Sequence, residues 1–103
     1  MIDAAHLQKQ KEWSEKTFGP GPRAFGIVDH IRKELNEIEN KPWDLFEWVD
    51  VIILALDGAW REGWEPQEII DAIIEKQKIN EKRTWPNWRQ FTNGEAIEHV
   101  KND

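Results

Sequence analysis

Cysteine is absent from the 103 residues, which removes disulfides, thiolate metal sites and cysteine nucleophiles together. Long apolar runs are also missing. The longest, Val51 to Leu56, is far too short to span a bilayer, and the polar stretch Met1 to Gln10 lacks the apolar core of a signal peptide. A basic cluster is missing too: Lys and Arg are scattered in a chain of net charge -6, which argues against a nucleic acid polymer as partner. There is no internal repeat and no low-complexity segment. These absences predict a cytoplasmic protein without membrane contact. What remains is 12.2 kDa, read as a single domain over 1–103 that buries roughly 65% of its extended surface around one core.

Two acidic pairs stand out. Glu34 with Glu37, and Glu47 with Asp50, are each three residues apart, which puts both members on one face of a helix. Glu34 and Glu37 border the apolar stripe Ile31, Leu35, Ile38, and Glu47 and Asp50 lead into Val51 to Leu56. Four oxygen donors could therefore converge between two consecutive helices. Like charges ~5 Å apart repel by about 3 kcal/mol at an effective dielectric near 20, so such a cluster calls for a hard divalent cation. The plain alternative is a set of solvated surface charges.

The pattern along the chain is all-α. A first helix is predicted from Asp3 to Lys16, anchored by Leu7 and Trp13. The stretch Phe18 to Arg23 (FGPGPR) breaks it; its prolines lack N–H donors, so it reads as a rigid connector with Arg23 available rather than a phosphate cradle. A second helix is predicted over Ala24 to Glu39, with apolar residues at 27, 31, 35 and 38. After a short break at Asn40, Lys41 and Pro42, a third is predicted from Trp43 to Arg61, antiparallel to the second. Its run Val51 to Leu56 is apolar on every side, as in a central or oligomer-facing helix. Asp57, on nearly the same face as Asp50, is either an extra ligand or a helix-exit polar residue. Gly63 and Pro66 separate a fourth helix running to about Arg83, with the core stripe Ile69, Ile70, Ile73, Ile74. A short helix over Glu95 to Lys101 is expected in the tail.

On the fourth helix Lys76, Asn80 and Arg83 form a stripe at i, i+4, i+7 that offers almost only donors and cations, as a polyphosphate grip requires. A solvated basic face near a helix C-terminus would look the same. His30, one turn before Glu34, could touch substrate. Seven Trp and no Tyr supply packing or interface surface, and Trp85 and Trp88 could stack on a base. An acidic set for Mg²⁺ with a cationic set for phosphate points to nucleoside triphosphate chemistry.

These residues resemble the all-α MazG-like nucleoside triphosphate pyrophosphohydrolases: the E-x-x-E of Glu34 and Glu37, the E-x-x-D of Glu47 and Asp50, and the later Lys76, Asn80 and Arg83. FGPGPR, HIRKEL (His30 to Leu35), EWVDVIILALDG (Glu47 to Gly58) and Lys76 to Pro86 are similar to the phage and prophage MazZ-type dATP/dGTP diphosphohydrolase branch. Lys33 stands where the family commonly carries the first acid of E-E-x-x-E. The resemblance implies a compact four-helix bundle with a short C-terminal tail or helix, a homodimer or homotetramer, and the host cytoplasm for a phage-encoded protein. It implies Mg²⁺ (or Mn²⁺) held by Glu34, Glu37, Glu47 and Asp50 as the catalytic centre. The nucleoside triphosphate would be bound by Lys76, Asn80, Arg83, His30 and Trp85 and cleaved between the α and β phosphates to monophosphate and pyrophosphate. The rival reading is a noncatalytic acidic helical interaction module.

Overall fold

Local capping chemistry sets the helix boundaries in the computed structural model, which describes residues 2–101. Asp3 accepts the backbone N–H of His6 at 2.9 Å and starts α1 (Ala4–Phe18). Helix α2 (Ala24–Asn40) follows the Gly-Pro loop and has no side-chain cap. Asp44 accepts the N–H of Phe46 at 3.0 Å and starts α3 (Leu45–Arg61). The third helix thus begins two residues later than predicted: a carboxylate can satisfy an orphan N–H, whereas Pro42 and Trp43 lie in a turn. Pro66 opens α4 (Pro66–Lys82), where Glu68 accepts the N–H of Glu65 at 3.0 Å, half of a capping box.

All four predicted helices are present, and no strand occurs among the described residues. The expected helix over Glu95 to Lys101 is not formed. Glu95 is instead tied into a turn with Thr92, and the N–H of Val100 donates to the carbonyl of Thr84 at 2.7 Å. A helix of seven residues is marginal by its own hydrogen bonds, and tail pairing replaces them. The tail's helical turn is a 3₁₀ turn at Trp88–Gln90.

The chain divides into two compact units, Met1–Asp71 and Ala72–Asp103, with α4 running through the boundary. In the first, Leu7 of α1, Trp60 of α3 and Ile69 of α4 are buried together, with Leu56, Ala59 and Ile70 against them. Ile27 and Ile38 are the buried residues of α2, which lies along α3. The four-residue link and the pairing of residue 27 with 58 and of 34 with 47 make these helices antiparallel. The apolar middle of α3 is less covered than its composition suggests: Ile52 and Ile53 are exposed, and the buried residues are Asp57, Trp60 and Arg61. In the second unit the ring of Trp85 meets His99 edge-on, 5.8 Å between centroids.

Gly58 lies inside α3, where a Cβ would meet Ile27 Cγ2 at 3.7 Å, ordinary contact. Gly58→Ala should therefore stabilise the fold by about 0.5–1 kcal/mol through helix propensity alone, measured as a higher urea midpoint at unchanged slope.

Candidate functional site

Antiparallel pairing of α2 and α3 sets the acidic faces of the two helices against each other. Glu34 from α2 and Glu47 and Asp50 from α3 each offer a carboxylate oxygen, all within 4.8 Å of one another. The pKa of Glu47 is raised from its ordinary 4.5, first by desolvation at the seam, then by a hydrogen bond with Glu34 and by the charges of Glu34, Asp44 and Glu37. Glu37 is exposed and lies outside the three-carboxylate group, although its charge reaches Glu47. His30, one turn before Glu34, has its Nε2 at 3.4 Å from a Glu34 oxygen. The donor set is entirely oxygen at the group itself, and mutual repulsion leaves it short of positive charge. Those features suit a hard divalent cation such as Mg²⁺ or Mn²⁺.

A cleft of about 380 Å³ opens beside this group, with Glu34 and Asp50 in its lining and Trp13, Phe18, Arg23 and His30 around the rest. Its wall from the FGPGPR loop is held by Arg61, whose side chain is 1% exposed. Arg61 Nε donates to Asp57 at 2.9 Å, Nη1 to the carbonyls of Gly19 and Gly21 at 2.7 and 3.0 Å, and Nη2 to the carbonyl and hydroxyl of Ser14 at 3.3 and 2.9 Å. All five guanidinium N–H groups are thereby used. Asp57 also accepts from the Ser14 hydroxyl at 2.7 Å and the Trp60 indole at 2.6 Å. Asp57 is thus an acceptor inside a structural network, committed to Ser14, Trp60 and Arg61. Gly19 and Gly21 both have positive φ, which lets the loop turn its carbonyls onto one guanidinium.

In the second unit, Arg83 Nη1 donates to the Asn80 side-chain oxygen at 3.0 Å. That engages the one acceptor group of the Lys76, Asn80, Arg83 stripe, whose other side-chain polar groups are N–H donors. Trp85 donates its indole N–H to the Asn80 carbonyl at 2.7 Å, bracing the same turn.

The network of Ser14, Asp57 and Arg61 is what inspection of the sequence missed. Asp57 and Arg61 are four apart on one helix, an ordinary ion-pair spacing that could have suggested their contact. Nothing local marks Ser14, which meets Asp57 across 43 positions of chain.

A family profile described as dATP/dGTP pyrophosphohydrolase matches residues 6–103. The chain is 39% identical over 95 residues to the Eaa protein of Salmonella phage P22, covering 91% of this chain and 28% of that protein. It is 32% identical over 92 residues to a dATP/dGTP diphosphohydrolase of Salmonella phage PMBT28, covering 88% and 30% respectively. The chain thus spans less than a third of the length of these two phage proteins. No solved structure matches it.

Arg61→Lys should cost about 3 kcal/mol or more, because one ammonium cannot serve five acceptors and Asp57 is left buried without its fork partner. Urea unfolding checks this; a loss under 1 kcal/mol would contradict the network's role. For Glu47 the sign is opposite. Folding raises its pKa, so the unfolded chain ionises this group first and its ionisation favours unfolding. Without metal, the wild type should melt below Glu47→Gln at neutral pH, and the gap should close as pH falls through the raised value toward the ordinary 4.5.

Proposed function

Since the chain belongs to the dATP/dGTP pyrophosphohydrolase family, we propose that it hydrolyses purine deoxynucleoside triphosphates, dATP and dGTP, between the α and β phosphates. The products are the nucleoside monophosphate and pyrophosphate. The observation that carries this reading is the convergence of Glu34, Glu47 and Asp50 within 4.8 Å beside a cleft of small-molecule size. The name of the PMBT28 relative, a dATP/dGTP diphosphohydrolase, supports the substrate class.

In this mechanism Glu34, Glu47 and Asp50 hold Mg²⁺ or Mn²⁺, with Glu37 as a fourth carboxylate on the same face of α2. A cation bound there supplies Lewis-acid neutralisation of phosphate charge. The chain's own groups do the rest. Water attacking the α-phosphorus must lose a proton, and the seam carboxylates and His30 are the acceptors lining that region. Lys76, Asn80 and Arg83, in the second unit, offer N–H donors and positive charge of the kind that binds phosphate oxygens, with the Asn80 amide turned donor by its bond to Arg83. Trp85 contributes by bracing Asn80. No side chain is needed as a covalent nucleophile.

The chain works as a homodimer or homotetramer in this proposal. The support is the large apolar side chains that α2 and α3 leave open, with Phe25, Leu45 and Phe46 93%, 70% and 77% exposed. The phage origin of both relatives supports action in a host cytoplasm, where the nucleotide pool lies.

Incubation of the protein with each deoxynucleoside triphosphate and Mg²⁺ or Mn²⁺ should release monophosphate and pyrophosphate from dATP and dGTP, with a metal-free control inert. Glu47→Gln should lower turnover by two orders of magnitude or more with its fold intact. Diphosphate plus orthophosphate would move the cleavage to another bond, and no consumption by any purine substrate would favour the noncatalytic interaction module.

A further inference from the structure

We propose that the tail from Thr84 to Val100 is a latch on the end of α4: when closed it positions Asn80 and Arg83, through His99 and Trp85, to bind a polyphosphate. The phosphate role of Asn80 and Arg83 rests on the hydrolase reading. The tail returns to the helix end at two adjacent points. The N–H of Val100 donates to the carbonyl of Thr84 at 2.7 Å, and beside it the His99 ring meets the Trp85 ring edge-on, with 5.8 Å between centroids and 72° between planes. Trp85 carries that contact to the helix, since its indole N–H donates to the Asn80 carbonyl at 2.7 Å. This carbonyl is among the last four of α4, which have no partner within the helix, and it also accepts the N–H of Arg83 at 3.2 Å. Arg83 Nη1 in turn donates to the Asn80 side-chain oxygen at 3.0 Å. The backbone and side chains of Asn80 and Arg83 are therefore set by a series of contacts that begins at His99.

Closing a loop of this length costs chain entropy, and one backbone hydrogen bond with one edge-on aromatic pair offsets that cost only narrowly. Open and closed tails are then both populated, and a ligand that binds the closed arrangement better shifts the balance toward it. Within the loop Thr92 and Glu95 clip a turn reciprocally, the Thr92 N–H donating to the Glu95 carboxylate at 2.9 Å and the Glu95 N–H to the Thr92 carbonyl at 3.2 Å, so the tail is a preformed loop rather than a free strand. An anion is the ligand that suits this turn. Over 75–90 the chain carries Lys76, Lys78, Lys82, Arg83 and Arg89 against Glu75 and Glu81, a net positive stretch in a chain of net charge -6. With its oxygen engaged by Arg83, what the Asn80 side chain offers an anion is its NH₂. Lys76 stands roughly 10 Å from Arg83 along the helix axis, at 1.5 Å per residue, which suits a chain of phosphates better than a single one. His99 and Trp85 are thus positioning residues for a polyphosphate grip.

The test titrates inorganic tripolyphosphate into the full chain in EDTA, so that neither metal nor turnover enters. In a nitrogen-labelled sample the Trp85 indole N–H resonance, assigned by its loss in Trp85→Phe, should shift and saturate. At saturation the Val100 amide should exchange its hydrogen about fivefold more slowly, the low end of ordinary coupling between two linked equilibria. Linkage is reciprocal, so His99→Ala should weaken tripolyphosphate binding by about the same factor at an unchanged urea midpoint. His99→Phe should restore it, because the ring contact with Trp85 returns. Wild-type affinity in His99→Ala, equal loss in His99→Phe, Val100 exchange indifferent to the saturating anion, or no tripolyphosphate binding at all would each overturn the latch. Coupled binding in a protein that hydrolyses no deoxynucleotide would uphold the latch while removing the proposed activity.

Discussion

Arg61 spends its whole donor set on one small region: the Asp57 carboxylate, two loop carbonyls and two oxygens of Ser14. Those acceptors come from α1, the FGPGPR loop and α3, so a single buried guanidinium ties α1 and the loop after it to α3. Desolvating a charged pair is expensive, and the geometry here offsets that cost by leaving no guanidinium N–H without an acceptor. Apolar contacts alone would grip this region weakly, since among the described residues the hydrophobic cluster around it is small: Leu7, Trp60 and Ile69 buried, with Leu56, Ala59 and Ile70 partly buried against them. Trp60 belongs to both systems, donating to Asp57 from inside that cluster. The entry of α2, and with it the position of Glu34, follows from where this network places the loop.

The acidic seam works against the same fold. Desolvation at the seam, the hydrogen bond with Glu34 and the charges of Glu34, Asp44 and Glu37 raise the pKa of Glu47, and the converging carboxylates oppose close pairing of α2 and α3. Ile27 and Ile38 are the buried residues of α2 on either side of it, and Ile27 lies beside Gly58 of α3. A destabilised cluster of hard donors, held by packing above and below, is the arrangement in which a bound cation would add most to stability.

Much of this architecture is legible in the sequence alone. The apolar rhythm at 27, 31, 35 and 38 identified α2 to within one residue of its end, because the 3.6-residue period leaves a strong mark over four turns. The start of α3 was displaced, because Pro42 is a weaker start signal than the Asp44 carboxylate that accepts from Phe46. The tail departs from the expected helix because seven residues are too few for a stable helix on their own, and the Val100 N–H donates back to Thr84 instead. The run Val51 to Leu56 predicts a central or oligomer-facing helix; within the single chain Ile52 and Ile53 are exposed and the buried positions cluster one turn further on.

The sequence by itself determined the all-α class, the four helices and the acidic spacing, because each follows from contacts within a few residues of chain. The tertiary structure alone decided which carboxylates converge: Glu34, Glu47 and Asp50 form the group while Glu37 lies beside it, since the register of α2 on α3 is a long-range property. It also decided that Asp57 serves Arg61 and Ser14, and that Trp13 and Phe18 share a cleft with the carboxylates. Helical periodicity says which residues share a face. Only the packing of one face on another says what that face meets.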